Sequence, residues 1–279
     1  MRRIISAVLC FLLMCTMTAC GGKNTVQSET TAGGNSLSAD EPENNESVVG
    51  DSIDALNDVT PEVYMTSEVT SEGLIAVYEA LNASPTGKIA VKLSTGEPGS
   101  NYLRTDLIGD FVQSFQNPTI VECNTAYGGS RANTAMHYQV ARDHGYTDIA
   151  DVDIMDEDGS MTLPVSGGDN LTENYVGAHF ADYDYYIIMS HFKGHAMAGY
   201  GGAIKNISIG IASSEGKAHI HSGGTGGSMW GGEQDAFLES MAEAGKSVSD
   251  YLDGNILYII VITRLSVHCD CHSNPAEPD

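Results

Sequence analysis

The sequence is poor in basic residues. It contains 13 lysines and arginines against 37 aspartates and glutamates, which gives its 279 residues a formal net charge of -24. Nucleic acids and anionic lipid headgroups are bound through clusters of lysine and arginine. The composition therefore argues against both classes of partner. It also makes each basic residue in a predicted loop more informative than usual.

Several catalytic signatures are also missing. The chain has no G-x-S-x-G elbow, no helical H-E-x-x-H pair and no G-x-x-x-x-G-K-[ST] loop. Those motifs position a serine nucleophile, two zinc-binding histidines and a nucleotide phosphate, respectively. Serine hydrolase, zinc protease and P-loop nucleotide-binding mechanisms therefore have no support in the sequence.

The first twenty residues predict export. Arg2 and Arg3 precede an apolar run that is too short for a convincing membrane-spanning helix, and small residues surround Cys20. This arrangement is similar to the bacterial lipobox, whose cysteine is lipidated and becomes the new N-terminus. We therefore expect a lipoprotein signal peptide over residues 1–20 and a lipid anchor at Cys20, on the extracytoplasmic face of the cell membrane. The alternative is an ordinary signal peptide that is cleaved elsewhere.

Residues 21–62 have the composition of a tether. They are mostly serine, threonine, asparagine, glycine and acidic residues, and no lysine or arginine occurs between Lys23 and Lys88. Such a segment buries too little apolar surface to offset the entropy lost on ordering, so it is predicted to be a disordered acidic tether.

Residues 63–279 predict one α/β domain. Apolar β-rich segments alternate with helical ones, which is typical of a mostly parallel sheet with helices on both faces. Strands are predicted over residues 88–93, 119–123, 185–189 and 256–262, and helices over 107–115, 131–144 and 235–252. In the second helix we expect Ala132, Met136 and Val140 to share a buried face. In the third we expect the same of Phe237, Met241, Ala244, Val248 and Tyr251.

Loops of glycine, polar and ligand-type residues follow four of these strands, over residues 94–102, 122–131, 190–206 and 263–272. In parallel sheets, ligands bind beyond the carboxyl ends of the strands. Four loops of this kind at one edge of the sheet predict a cleft.

Four segments resemble the domain of unknown function 362 family. They are VECNTAYGGSRANTAMHYQVARDHG, VDIMDEDGSMTLPV, SHFKGHAMAGYGGAIKNISIGIASSEGK and RLSVHCDCHSNPAEPD, and the similarity covers residues 88–279. Members of that family are often labelled as uncharacterised iron-sulfur centre proteins, so the resemblance implies a family and not a reaction. Many members carry a C-x-x-C-x-x-C-x-x-x-C-P run that this chain does not have. Members also continue past the position equivalent to Asp279, so we expect the domain to be incomplete at its C-terminus.

The loops contain the residues of a predicted anion site. Lys193 and Lys205 lie near glycines whose backbone allows a ligand to approach closely, and Arg131 follows Gly-Gly-Ser at a predicted helix start. Together with Asn206, these residues are predicted to bind a small carboxylate or phosphate. His191 and His195 lie in the same stretch and are candidate proton-transfer residues. The alternative is that both are hydrogen-bonded structural histidines.

Three cysteines and two histidines form the predicted metal site. Cys269 and Cys271 are flanked by His268 and His272, and Cys123 follows a neighbouring strand. Thiolates and imidazoles suit iron or zinc, so this interpretation predicts an iron-sulfur cluster or a single iron or zinc ion. In an exported protein, Cys123 paired with one of the other two in a disulfide is an alternative, and unreactive thiols are another.

Two hypotheses for the function follow. In the first, an enzyme uses the metal centre with Lys193, Lys205 and Arg131 on the substrate anion and a histidine for proton transfer. In the second, a lipoprotein captures a small anion or a metal without chemistry, and its cysteines are structural. Turnover separates the two, but the sequence indicates no reaction.

Overall fold

The computed structural model describes residues 62–226, 229, 230 and 232–265. All of them belong to one compact unit. The predicted signal peptide, Cys20 and the acidic tether through residue 61 lie outside the described residues. So do His268, Cys269, Cys271 and His272.

The described elements alternate between strand and helix as the sequence pattern predicts. The helices are α1 Ser71–Ala80, α2 Thr105–Gln113, α3 Thr134–Asp143, α4 Ala203–Ile207, α5 Ser214–His221 and α6 Gln234–Leu252. The strands are β1 Ile89–Lys92, β2 Thr119–Glu122, β3 Asp151–Ile154, β4 Ser160–Pro164, β5 Glu173–Gly177, β6 Tyr185–His191, β7 Lys193–His195, β8 Gly199–Gly201 and β9 Ile256–Val261.

Five of the strands form one sheet in the order β3-β2-β1-β6-β9. Every pair of neighbours in it is parallel. The chain builds the sheet outward from β1 to β3, then returns to place β6 on the other side of β1. The strand order therefore reverses between β1 and β6, and their carboxyl ends flank the position where ligands collect in such sheets.

Both faces of the sheet are buried, as a parallel sheet requires. Ile89 and Val91 point into a core with Leu74 of α1 and Phe111 of α2. Ala90 points to the opposite face, whose core includes residues of α6 and of the antiparallel β4–β5 pair, among them Leu163, Val176, Val248 and Leu252. The predicted α/β class, with a mostly parallel sheet and helices on both faces, is confirmed.

The predicted helix over residues 131–144 is wrong at its start, and of its predicted buried face Val140 is right while Ala132 and Met136 are exposed. A short 3-10 turn covers Ser130–Ala132, and α3 begins only at Thr134 because the Asn133 side chain accepts a hydrogen bond from the Met136 amide. This start turns His137, Val140 and Ala141 inward. Met136 is 51% exposed and does not belong to the core.

In α6 the predicted buried face is confirmed for Phe237, Ala244 and Val248. Tyr251 is 47% exposed, and the neighbouring Leu252 is buried in its place. The Tyr251 ring still packs at the rim, with its centroid 5.3 Å from that of Phe180.

The segment after β6, predicted as a loop, is more regular than expected. β7 and β8 pair as a short antiparallel hairpin, and α4 follows directly. Gly199 adopts a φ of 74°, a left-handed conformation that glycine reaches without strain, and it allows the chain to turn back. Across the described residues, no helix is both long and apolar enough to cross a membrane.

Candidate anion-binding site

A cavity of about 100 Å³ lies at the carboxyl ends of β1, β2 and β6. Its lining includes Lys92 and Ser94 at the end of β1, Glu122 and Thr125 at the end of β2, Ser190 and His191 at the end of β6, and Lys193 at the start of β7. The hairpin, α4 and α5 complete the wall. The cleft predicted at the strand ends is thus a cavity at the point where the strand order reverses.

Basic side chains dominate the wall. Five of the chain's 13 lysines and arginines line this cavity: Lys92, Arg131, Lys193, Lys205 and Lys217. Glu122 is the carboxylate among the lining residues. Basic residues are few in this acidic chain, whose net charge is -24. Their concentration around one cavity therefore points to an anionic ligand.

The inner wall is a buried network of charged residues. Lys92 Nζ lies 3.3 Å from Glu122 Oε2, and Arg131 Nη1 lies 3.4 Å from Glu122 Oε1. Arg131 Nε donates a hydrogen bond to Glu97 Oε1 at 3.1 Å. Lys92 Nζ also donates to the Leu93 carbonyl at 3.0 Å. Carboxylates therefore hold the Lys92 and Arg131 side chains in place. The two side chains contribute to the form of the cavity as well as to its positive charge.

The charge of Glu122 is set by its neighbours. Burial disfavours the carboxylate, but Lys92 and Arg131 outweigh this effect and lower the pKa of Glu122 to about 2. Burial lowers the pKa of Lys92, and the attraction of Glu122 opposes that shift. Glu122 is therefore ionised at neutral pH.

Lys193, Lys205 and Lys217 also line the cavity. Lys217 Nζ donates to the Ala212 carbonyl at 2.6 Å. A Cβ built on Gly201 would lie 3.6 Å from Lys193 Cε and 3.8 Å from Lys205 Cδ, so both aliphatic chains pass over this glycine. Burial, followed by the positive charges of Lys193 and Lys217, lowers the pKa of Lys205 to about 7.

Asn206 lines the cavity, but its amide is used within the protein. Its Oδ1 accepts a hydrogen bond from Lys92 Nζ at 2.8 Å. Its Nδ2 lies 3.2 Å from the Met189 carbonyl oxygen and 3.1 Å from Ser190 Oγ. This side chain joins the ends of β1 and β6, and the geometry favours a structural role over the predicted ligand contact.

The two histidines predicted for proton transfer occupy different places. His191 lines the cavity, and its Nε2 donates to the Thr263 carbonyl at 2.6 Å. His195 is not among the lining residues, and its Nδ1 accepts from the Ala198 amide at 3.0 Å. Burial and the charge of Lys205 lower the pKa of His195 to about 3, so its imidazole is neutral. The geometry thus favours the structural interpretation for His195.

Cys123 has the environment of a protonated thiol. It is 1% exposed, and its Sγ lies 3.3 Å from the Ile211 carbonyl oxygen, to which it donates. Burial raises the pKa of this thiol well above its usual range. A metal ligand must be a thiolate. Cys123 alone does not fit a cluster or metal site, and both the metal and the disulfide interpretations depend on Cys269 and Cys271.

Elsewhere in the described ranges, Asp153, Glu157 and His179 bring three ligand atoms within 4.8 Å of one another. Both ring nitrogens of His179 already face carboxylates, at 2.9 Å from Asp153 Oδ1 and 3.1 Å from Asp158 Oδ2. Hydrogen bonding to Asp153 raises the pKa of His179, which favours an imidazolium ion and not a metal ligand.

Sequence reasoning missed Lys92, Glu122 and Lys217. Lys92 and Glu122 each end an apolar strand, IAVK and TIVE, and a charge in a strand that is otherwise apolar signals a strand end facing a site. Lys217 lies on α5, in SEGKAHIH, where a lysine is usually solvated. No local signal distinguishes it from a surface residue.

Comparison with known proteins identifies the family. The model of the family described as Domain of unknown function (DUF362) matches residues 89–279. The chain belongs to this family. The match confirms the resemblance seen in the four sequence segments, and it places every lining residue of the cavity inside the DUF362 region. No curated protein matches the sequence.

Two solved structures are similar to this DUF362 chain. One is the lactate racemase apoprotein from Thermoanaerobacterium thermosaccharolyticum, at 13% identity and a TM-score of 0.44, covering 66% of this chain and 44% of that chain. The other is a protein from Thermotoga maritima, at 14% identity and a TM-score of 0.42, covering 73% of this chain and 53% of that chain. The chain spans about half the length of these structures.

Proposed function

We propose that this protein binds a small anion in the cavity between β1, β2 and β6. One observation carries the proposal: five of the 13 basic residues of a strongly acidic chain line this cavity. Lys92 and Arg131 are engaged with Glu122 and Glu97, whereas Lys205 and Lys217 form no ion pair within the described ranges. Lys217 therefore has positive charge left for a ligand to neutralise, and Lys205 has an amine left to contact it.

The size of the cavity limits the ligand. Pockets for drug-sized molecules and cofactors occupy about 300–1,000 Å³. A volume of about 100 Å³ suits a compact anion such as phosphate or a short carboxylate. It does not suit a nucleotide, in agreement with the absence of a P-loop motif.

Thermal unfolding with and without phosphate or malonate tests the proposal. An anion that binds only the native state stabilises it, by about 2.7 kcal/mol at a concentration one hundred times Kd. The double variant Lys193→Met and Lys205→Met should fold and lose this stabilisation. Lys246→Met removes a lysine that is 56% exposed on α6, and it should keep the effect.

Two results would contradict the proposal. One is a wild-type protein that neither phosphate nor malonate stabilises, in low-salt buffer where surface screening is weak. The other is a double variant that keeps the full anion effect. A double variant that does not fold would instead favour a structural role for the two lysines.

We also propose that the protein is a lipoprotein, on the basis of residues 1–22 alone. If Cys20 is lipidated, the native form should partition into detergent and the Cys20→Ser form should not. A metal or iron-sulfur centre is proposed only through Cys269 and Cys271, whose replacement by serine should remove iron or zinc from protein prepared without oxygen.

A further inference from the structure

Lys205 differs from the other basic residues of the cavity in its contacts. Lys92 donates to Leu93 and Asn206, and Lys217 donates to the Ala212 carbonyl. Arg131 is held by Glu97 and Glu122. In the part of the chain that the structure describes, the Lys205 amine has no hydrogen-bond or ion-pair partner. It is therefore the amine whose hydrogens and lone pair are available to a ligand.

The neighbours of Lys205 favour the neutral amine. Lys193 of β7, Lys217 of α5 and Arg131 place positive charge around it, and Glu122 of β2 is the carboxylate that acts on it. Burial adds to the effect, and together they lower the pKa of Lys205 to about 7. Nearby cations reduce the fraction of a lysine that is protonated and so weaken its attraction for an anion. The same surroundings increase the fraction of neutral amine, which is the nucleophile.

We propose that Lys205 is a nucleophilic amine that forms an imine with the carbonyl group of a small 2-oxo carboxylate bound in the cavity. The proposal rests on the anion-binding function proposed above, because the neighbouring cations must hold the carboxylate. A 2-oxo acid places its carbonyl carbon next to that carboxylate. The amine and the carbonyl are then brought together within one small cavity.

The step balances without another reactant. The lone pair of Lys205 Nζ attacks the carbonyl carbon, and the carbonyl oxygen takes up a proton to give a carbinolamine. Loss of that hydroxyl with a proton from the nitrogen forms the carbon–nitrogen double bond and releases one water molecule. No electrons are transferred, and hydrolysis reverses the reaction.

Reductive trapping of the full chain with pyruvate and cyanoborohydride tests this proposal. The reagent reduces the imine to a stable secondary amine, so Lys205 gains the mass of pyruvic acid less one water plus two hydrogens. Peptide mass spectrometry should find the adduct at Lys205. The nucleophile is the neutral amine, and a pKa of about 7 leaves about half of Lys205 neutral near pH 7, so labelling at Lys205 should exceed that at the exposed Lys246 at least about tenfold.

Two controls separate chemistry from binding. Propionate, which has the carboxylate but no carbonyl, should compete with pyruvate and leave no adduct. Lys205→Arg has no primary amine and should lose the adduct, whereas Lys246→Arg, at an exposed position outside the cavity, should keep both the adduct at Lys205 and the stabilisation by propionate. The site of labelling is read from the wild type, so the test does not depend on this variant folding.

The contradicting results are distinct for the two proposals. If pyruvate stabilises the protein but Lys205 is labelled no faster than Lys246, or if Lys193 or Lys217 is labelled instead, the imine proposal is wrong and anion binding stands. If no small anion stabilises the protein and no adduct forms, both proposals are wrong.

Discussion

Glu122 shows how a single buried carboxylate organises the cavity. Its Oε2 forms an ion pair with Lys92 and its Oε1 forms one with Arg131, and its side chain is 5% exposed. Without Glu122, Lys92 and Arg131 would repel each other and the other lysines of the cavity with no carboxylate between them. The network therefore keeps part of the positive charge compensated and leaves the rest for a ligand.

Replacing this carboxylate should be costly near neutral pH. Glu122→Gln leaves buried cations without their partner, and removal of one member of a buried pair typically costs about 3–5 kcal/mol. The pKa of about 2 in the folded protein lies below the ordinary glutamate value of 4.5. The ionised group therefore stabilises the fold fully above about pH 4.5, and this contribution is lost as the pH falls towards about 2. Urea unfolding of the wild type and the variant should give free energies that converge over this range.

Glu79→Gln, at an exposed position of α1, is the matched control and should have little effect at any pH. A difference between wild type and Glu122→Gln that stays constant from neutral pH down to about pH 3 would show that folding does not lower the pKa of Glu122.

At the scale of residues, the sequence predicted part of the wall. Arg131, Lys193 and Lys205 were identifiable because basic residues are rare and these three lie in glycine-rich segments of the sequence. Lys217 was not, since its approach to the cavity depends on how α5 packs and not on its neighbours in the chain. The pairing of Lys92 with Glu122 depends on the register of β1 against β2, which no local pattern specifies.

At the scale of elements, the turn between α4 and α5 fits closely around the cavity. A Cβ at Gly210 would lie 2.2 Å from the Asn206 carbonyl oxygen and 2.7 Å from Lys92 Nζ. Only a residue without a side chain allows this turn to approach the end of β1. Gly210 therefore keeps Lys92 and Asn206 in contact.

Gly210→Ala should destabilise the fold and disturb the cavity. The added methyl group meets a backbone oxygen that cannot move alone, and overpacking of this kind usually costs about 1–3 kcal/mol. Both the melting temperature and the stabilisation by phosphate should fall. Gly128→Ala is the control, because a Cβ there meets nothing within 4 Å. Equal behaviour of the two variants would show that the close approach at Gly210 is unimportant.

The sequence predicted the strands better than the segments between them. Apolar runs such as YYIIM identify a buried strand whatever surrounds it, and β6 was found. The β7–β8 hairpin has no such run: KGH and GYG pair through backbone hydrogen bonds around glycines. The start of α3 depended on the Asn133 cap, which a pattern of apolar residues does not reveal.

At the scale of the whole molecule, the topology explains why the basic residues meet. Arg131, Lys193 and Lys217 are distant in sequence, but the chain reverses its strand order between β1 and β6 and directs their loops to one edge. Predicting a mostly parallel sheet was enough to expect a site at that edge. It was not enough to show which loops form it, because that depends on strand order.

The most direct test of the anion site is a crystal structure of the protein grown with selenate, whose selenium gives an anomalous signal. We expect an anomalous peak in the cavity, with selenate oxygens at hydrogen-bond distance, about 2.7–3.2 Å, from the amines of Lys193, Lys205 or Lys217. A well-ordered cavity that contains only water, while selenate is bound elsewhere on the surface, would contradict the account.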